Sequence, residues 1–201
     1  MCRAFGLVSN DPKRLECFLY ARRQELAPQP GIRPDGVGIG YYANLEPLLS
    51  KRPAPADGEL TCYRIAKGIH SDALMMHVSL QPDQPWKVEN THPFRFRNWI
   101  FAHTGAIAGF ETIATKLYLA LPGHLQRNIR GSTASEVAFH IFMDLLGRKR
   151  PVDASDLRTA DVAAALTRTV AIIEDATRVA GPSVMNFIAM NGQILAGVRL
   201  G

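Results

Sequence analysis

Cys2-Arg3-Ala4-Phe5-Gly6-Leu7-Val8-Ser9 follows Met1 directly, and this apolar run predicts a β-strand that opens with a cysteine. Removal of Met1 would leave Cys2 with both a thiol and a free α-amine. The thiol can act as a nucleophile, and an α-amine, whose ordinary pKa is about 7.7–8.0, can act as its general base near neutral pH. Taken alone, Cys2 fits better a small buried thiol that only packs, as most cysteines do. The stretch therefore raises an N-terminal nucleophile as a hypothesis.

Length and composition indicate one globular domain. The chain has 201 residues, of which 47% are hydrophobic and 20% charged, so we predict a single domain over residues 1–201. No apolar run approaches the roughly 20 residues that cross a bilayer, and the N-terminus lacks a secretory signal pattern. We therefore expect a cytoplasmic protein without membrane contact.

Cysteine and charge patterns narrow the function classes further. Cys2, Cys17 and Cys62 are odd in number and have no metal-ligand spacing, which argues against a disulfide framework, a zinc site or a metal cofactor. The formal net charge is +5, but basic residues are spread along the chain apart from Arg148-Lys149-Arg150. We expect that cluster to be a solvated helix end, and we expect neither a cofactor nor a nucleic-acid partner.

Periodicity and turn residues predict an α+β order of elements. A helix is expected after Asn10-Asp11, with Pro12 in its first turn, and Thr104-Gly105 is expected to turn directly after a strand. Asn191-Gly192 is a strong hairpin signal. The predicted strands are 37–42, 73–80, 99–103, 184–189 and 193–198, the later helices are 109–121, 133–146 and 156–179, and a separate segment runs from 59 to 65.

Several polar and glycine-rich segments accompany these elements. Asp35 to Gly40 alternates glycine with apolar residues but lacks the spacing of a dinucleotide loop. Asn90-Thr91-His92-Pro93-Phe94 leads into the strand that ends at His103. Gly131 to Glu136 precedes a helix and carries a capping-box pattern formed by Ser132 or Thr133 with Glu136. Turns after strands and helix N-termini are places where backbone N–H groups can hold an oxyanion.

Together these segments resemble the class II glutamine amidotransferases, a branch of the N-terminal nucleophile hydrolases. The resemblance covers nearly the whole chain and rests on the order of its motifs, which are Met1-Cys2-Arg3, Asp35 to Gly40, His77-Val78-Ser79, Asn90 to Phe94, Trp99 to Gly105, Gly131 to Glu136 and Met185 to Ile194. It implies a four-layer αββα sandwich in which Cys2 is the nucleophile. Short family members continue beyond this hairpin, so we expect a domain shortened at its C-terminus, with a sheet edge that a homodimer or a partner synthetase subunit could cover.

Three positions depart from the family pattern. The arginine that grips the glutamine α-carboxylate falls on Ser79, and the aspartate that binds the α-amino group falls on Ala134. The asparagine that stabilises the oxyanion falls on Thr104, although Gly105 can still offer its backbone N–H. The resemblance thus assigns catalysis to Cys2, Thr104 and Gly105, and substrate binding to Ser79, Thr133 and Ala134.

Two functions follow from this combination of retained and lost residues. In the first, Cys2 hydrolyses or transfers an amide or acyl group of a small molecule other than free glutamine. The α-carboxylate and α-ammonium groups of free glutamine would find no charged partner at Ser79 and Ala134. In the second, the domain is a catalytically degenerate relative that binds a ligand or a protein. The joint exchange of Ser79, Thr104 and Ala134 motivates the second function.

Histidines offer a competing route to catalysis. His77, His103 and His140 have apolar neighbours on predicted strands or helices, so we expect hydrogen-bonded core histidines. His92 belongs to the polar turn before Phe94. A Cys-His pair that uses Cys17 or Cys62 as the nucleophile has no local signature in the chain.

Overall fold

The structure, a computed structural model, describes residues 2–26, 35–53, 68–79 and 86–201. The predicted segment 59–65 and Cys62 lie outside these ranges. Its strands are β1 (Arg3–Val8), β2 (Gly36–Ala43), β3 (Glu46–Pro53), β4 (Ala73–Ser79), β5 (Phe94–Phe96), β6 (Trp99–Ala106), β7 (Val184–Met190) and β8 (Leu195–Leu200). Its α-helices are α1 (Arg14–Ala21), α2 (Arg23–Leu26), α3 (Phe110–Leu119), α4 (Gly123–Gln126), α5 (Ala134–Gly147) and α6 (Thr159–Thr177).

The chain forms two compact units. Residues 1–102 and 188–195 form the first unit, and residues 103–187 and 196–201 form the second. Short 3-10 turns at Val88–Asn90 and Arg178–Ala180 join longer elements. That the whole chain behaves as one domain stays a prediction.

The first sheet lies entirely in the first unit and has the strand order β1-β4-β2-β3. Its described pairings are antiparallel: β4 lies between β1 and β2, and Ala4 and Gly38 both pair with His77. Because side chains alternate along a strand, Leu74, Met76 and Val78 occupy one face of β4, and Met75 and His77 occupy the other. Both faces are buried, which explains why the β4 sequence is apolar almost throughout.

Each face of this sheet packs against a different layer of the first unit. On one face, Leu15 and Leu19 of α1 contact a cluster that includes Ile39, Met76 and Val78. On the other, Tyr42 and Met75 share a cluster with residues of the second sheet, which are Ile100, Ala102 and Met190. Burial of these apolar side chains is the main force that orders the layers.

The second sheet has the order β5-β6-β7-β8, and β5 pairs antiparallel with β6. The predicted hairpin at Asn191-Gly192 is confirmed. The Asn191 side-chain oxygen accepts hydrogen bonds from the backbone N–H groups of Gln193 and Ile194, and Gly192 takes the positive φ of 90° that the turn needs. The α+β class with two antiparallel sheets is therefore as expected.

Helices α3 to α6 lie in the second unit. Helices α3, α5 and α6 match the predicted helical segments within a few residues, whereas the short helix α4 has no predicted counterpart. Every residue of α5 from Ser135 to Met143 is buried, so all sides of this part of the helix are covered. In α6, by contrast, the buried side chains recur at helical spacing, as at Val162, Leu166 and Val170. Among the described residues, no helix is long and apolar enough to cross a membrane.

Two predicted boundaries were wrong. Helix α1 begins at Arg14, because Pro12 and Lys13 form a turn in which Asp11 accepts a hydrogen bond from the Lys13 N–H. Strand β6 does not end at His103 but continues through Thr104 and Gly105 to Ala106. The Asn186 side chain donates to the Thr104 carbonyl at 3.1 Å, which keeps this stretch extended instead of turning.

Candidate active site

Cys2 directly precedes β1 and is half-buried. Since Arg3 pairs with Val78, continuing the antiparallel register by one residue places Cys2 opposite Ser79. Ser79 in turn pairs with Gly36 of β2. We call these three residues, which lie side by side on neighbouring strands, the Cys2 row. The structure thus brings two predicted site residues, Cys2 and Ser79, together.

Glycines let other segments lie close against β2 on the face of the Cys2 row. A Cβ on Gly38 would clash with the backbone carbonyl of His92, and a Cβ on Gly40 would come within 2.8 Å of Ile100 Cδ1. The His92-Pro93 peptide bond is cis. The glycines of the Asp35 to Gly40 motif therefore allow close packing, against backbone at Gly38 and against side chains at Gly40.

A stack of aromatic rings lies beside the Cys2 row, starting at His77, two residues before Ser79 on the same face of β4. His77 stacks on His92 with ring centroids 4.1 Å apart, and His92 meets the edge of Phe94 at 4.6 Å. Both histidines are buried. His77 packs as a core residue, as expected, and His92, which was expected in a polar turn, is buried beside it.

Trp86 is a neighbour of the Cys2 row that the sequence analysis does not single out. Its Cδ1 lies 2.6 Å from the position that a Cβ on Gly36 would occupy, so the indole covers Gly36. Nothing in the local pattern around Trp86 predicts this contact, because Trp86 and Gly36 are 50 residues apart in the chain.

Thr104 and Gly105 lie in the second unit, near the end of β6. Gly105 has a φ of 125°, and a Cβ there would clash with the backbone carbonyl of Val184. A glycine is therefore required at this position for backbone geometry alone. The Thr104 carbonyl is held by Asn186, as described above.

Helix α5 begins at the segment that carries Thr133 and Ala134. The Thr133 hydroxyl oxygen accepts a hydrogen bond from the Glu136 N–H at 3.2 Å, which confirms the predicted N-cap. The buried Glu136 carboxylate accepts from the N–H groups of Arg130 and Gly131 at 3.0 and 2.7 Å. These bonds fix the loop before the helix and leave the half-buried Ala134 in its first turn.

His103 links β6 to α5 within the second unit. Its Nδ1 lies 2.8 Å from the Ser135 hydroxyl oxygen, and its ring meets the edge of Phe187 at 5.0 Å. Burial lowers the pKa of His103 to about 4, against a weaker opposing effect of the Val184 backbone. The ring is therefore neutral at pH 7. The contact brings the strand end with Thr104 and Gly105 next to the helix start with Thr133 and Ala134.

His140 is also buried and packs in α5. Its Nδ1 lies 2.8 Å from the Glu136 carbonyl oxygen, and burial lowers its pKa. Within the described ranges, no group of three or more His, Cys, Asp or Glu side chains could hold a metal ion. The catalytic roles of Cys2, Thr104 and Gly105, and the binding roles of Ser79, Thr133 and Ala134, stay predictions.

Comparison with known proteins identifies similar sequences and a similar structure. A family model described as glutamine amidotransferases class-II matches residues 1–199. The probable glutamine amidotransferase DUG3 of Saccharomyces cerevisiae is 28% identical over 226 residues, which cover 99% of this chain but 63% of the yeast protein. The gamma-glutamyl-hercynylcysteine sulfoxide hydrolase of Mycobacterium tuberculosis is 29% identical over 119 residues, covering 53% of this chain and 50% of that protein.

A solved structure supports the fold. A glutamine aminotransferase class-II domain protein from Silicibacter pomeroyi has a TM-score of 0.62 and 27% identity, and the match covers 82% of this chain and 68% of that one. The expected sandwich fold of the N-terminal nucleophile hydrolases is thereby confirmed.

Proposed function

This chain belongs to the class II glutamine amidotransferase family, and from that premise we propose that it is an amide hydrolase whose nucleophile is Cys2. Loss of Met1 would expose Cys2 as the N-terminal residue. The observation that carries the proposal is the position of Cys2, which is half-buried directly before the edge strand β1 and opposite Ser79. A thiol at such a place is accessible to a substrate and partly screened from water.

The reaction needs two covalent steps. The α-amine of Cys2 takes the thiol proton, and the sulfur attacks the amide carbonyl to form a tetrahedral intermediate. Its C–N bond then breaks, and the departing amine or ammonia takes the proton from the α-ammonium, which leaves a thioester. Water, deprotonated by the α-amine, attacks the thioester, releases the carboxylic acid and restores the thiol.

Thr104 and Gly105 carry the oxyanion role in this proposal, because the Trp99 to Gly105 motif supplies that role in the family. Replacement of an oxyanion donor costs on the order of 10²–10³ in rate when nothing compensates. The Gly105 N–H and the Thr104 hydroxyl are the groups available for compensation.

The proposed substrate is an amide other than free glutamine. Ser79 and Ala134 carry no charge, so neither can pair with the α-carboxylate or the α-ammonium group of glutamine. Each lost charge-assisted hydrogen bond is worth about 1.5–3 kcal/mol. The mycobacterial relative, named as a hydrolase of a γ-glutamyl compound, supports an amide substrate larger than glutamine.

The test combines intact mass with a matched pair of cysteine variants. We expect the purified protein to lack Met1 and to release amine or ammonia from members of a panel of γ-glutamyl amides and end-capped glutamines. Cys2→Ala should abolish release, whereas Cys17→Ala, which removes an exposed thiol on α1, should keep it within twofold. Retention of Met1, or equal activity of the Cys2→Ala protein, would overturn the proposal.

A binding protein without catalysis is the second candidate. The exchange of three family residues at Ser79, Thr104 and Ala134 favours it. A protein that binds a capped glutamine, retains Met1 and leaves every amide of the panel intact would establish this function instead.

A further inference from the structure

Trp86 stands beside the Cys2 row with an unsatisfied hydrogen-bond donor. Its side chain is half-buried, but its Nε1 atom is buried and has no hydrogen-bond partner among the described residues. The Nε1 edge of the indole lies against Gly36, where the missing side chain leaves room for the ring. A buried N–H group without a partner is costly, so such groups commonly await a ligand or water.

The side chains of the Cys2 row, all within the described residues, carry no charge. The Cys2 row consists of a thiol, a hydroxyl and a glycine. The cation that follows on this face is Lys51, opposite Gly38, and its Nζ donates to the Val88 carbonyl at 3.3 Å and lies 5.4 Å from the Phe94 ring centroid. Asp35, which adjoins Gly36, is acidic and would repel an anion.

The spacing between strands sets how long a ligand must be to contact both Cys2 and the Trp86 indole. Neighbouring strands lie about 4.8 Å apart, so Gly36 is roughly 10 Å across the sheet from Cys2. This distance corresponds to about three residues of extended chain. A group bound at the indole must therefore extend past Ser79, beyond the α-carbon of a glutamine whose side-chain carbonyl meets Cys2.

We propose that Trp86 determines substrate specificity by donating its indole N–H to a neutral acceptor in the acyl part of the substrate. The substrate class is an end-capped or peptide-like glutamyl amide, whose α-carboxyl carbon is itself an amide or ester. The flat ring packs on the apolar part of the cap, and the N–H binds its carbonyl oxygen. This inference rests on the proposed function, since it concerns the same nucleophile.

Binding to a Cys2→Ala protein separates recognition from chemistry. The probes are L-glutamine and N-acetyl-L-glutamine methylamide, which keeps the side-chain amide but lacks both charged ends. Calorimetry should give at least about tenfold tighter binding of the capped probe. The chain has two tryptophans and Trp99 is fully buried, so we expect the capped probe to change the emission of Trp86.

Variants at Trp86 identify the donor. In the same Cys2→Ala background, Trp86→Phe keeps a ring but removes the N–H. It should weaken binding of the capped probe by about three- to tenfold and change the affinity for glutamine less than twofold. Trp86→Ala should weaken it further. Tyr20→Phe, at an exposed position of α1, is the control and should change neither. Circular dichroism would establish that each variant is folded.

Equal binding of both probes, no binding of the capped probe, or an unchanged affinity in Trp86→Phe would overturn the assignment of Trp86. Failure of the proposed function is a separate result, since it would show as retained Met1 or inert amides in the Cys2 protein. Tight, Trp86-dependent binding together with inert amides would uphold the assignment of Trp86 and overturn the hydrolase.

Discussion

The backbone carbonyl of His92 occupies the space that a side chain on Gly38 would need. The two residues are 54 positions apart, yet the contact joins the two glycine- and proline-containing motifs of the first unit. The His92 ring then stacks on His77, which pairs with Gly38 in the sheet. The loop before β5 is thus fixed against the sheet two residues along β2 from Gly36.

Gly38→Ala should lower the free energy of unfolding by about 3 kcal/mol, because its Cβ would meet backbone atoms that cannot rotate away. Gly123→Ala is the control. There a Cβ would come no closer than 3.7 Å to the Arg127 side chain, so we expect a change within about 0.5 kcal/mol. Urea denaturation of both variants measures the difference. Equal stabilities would contradict the close approach.

Ser79→Arg should increase the affinity for free glutamine by about 10- to 100-fold, since it supplies a guanidinium beside Cys2 that can bind the α-carboxylate in a bidentate manner. Ser79→Lys supplies a single charge without the two parallel donors of a guanidinium, so it should increase the affinity for glutamine less. Calorimetry on Cys2→Ala proteins gives the dissociation constants. An arginine variant that binds glutamine no better than the parent would refute the position assigned to Ser79.

Leu45→Gly should stabilise the protein by about 0.5–1 kcal/mol. Asn44 and Leu45 form the two-residue turn between β2 and β3 with φ values of 53° and 67°, a conformation that costs leucine roughly 1–2 kcal/mol. Glycine adopts it without strain but loses more chain entropy on folding. Leu48→Gly, at an exposed position inside β3, should instead destabilise. If thermal unfolding showed that both variants change stability in the same direction, the prediction would be contradicted.

Protonation of His103 should make the protein less stable in mild acid. Its pKa is about 4 in the folded protein and 6.5 when unfolded. Between these values the unfolded chain binds a proton that the folded one does not, so stability is complete above pH 6.5 and falls as the pH drops towards 4. The loss between pH 7 and pH 5 should be about 2 kcal/mol.

Denaturation curves of His103→Asn at pH 7 and pH 5 test this effect. The variant should lose less stability between the two pH values than the parent protein, whatever its stability at pH 7. His124→Asn, at an exposed position of α4, should keep the parent's pH dependence. His140, whose pKa is also lowered, contributes in the same direction and remains in both variants. Parallel pH profiles of His103→Asn and the parent would count against the buried neutral ring.

Thr133→Ala should cost about 1 kcal/mol of stability, because it removes the acceptor for the Glu136 N–H at the start of α5. Thr133→Ser retains a hydroxyl, so its free energy of unfolding should fall by only a few tenths of a kcal/mol. Chemical denaturation measures both. An alanine variant as stable as the parent would show that the cap is dispensable and would leave substrate binding as the role of Thr133.

Local patterns in the sequence predicted most elements correctly. Glycine alternating with apolar residues indicated β2, a continuous apolar run indicated β4, helical spacing indicated α3, α5 and α6, and Asn191-Gly192 indicated the last hairpin. These succeeded because periodicity and turn preference depend on neighbours a few residues apart. The ordered motifs then added the family and the sandwich fold.

The sequence by itself determined the strand that begins after Cys2, the cap at Thr133, the hairpin and the family. Only the tertiary structure decided that Trp86 covers Gly36, that His103 meets Ser135, and that β6 continues past His103. Each of these depends on two segments that are distant in the chain, or on a bond such as that from Asn186 to Thr104, 82 residues apart. Burial drives such segments together, and the packing geometry of whole layers selects the pairs that meet.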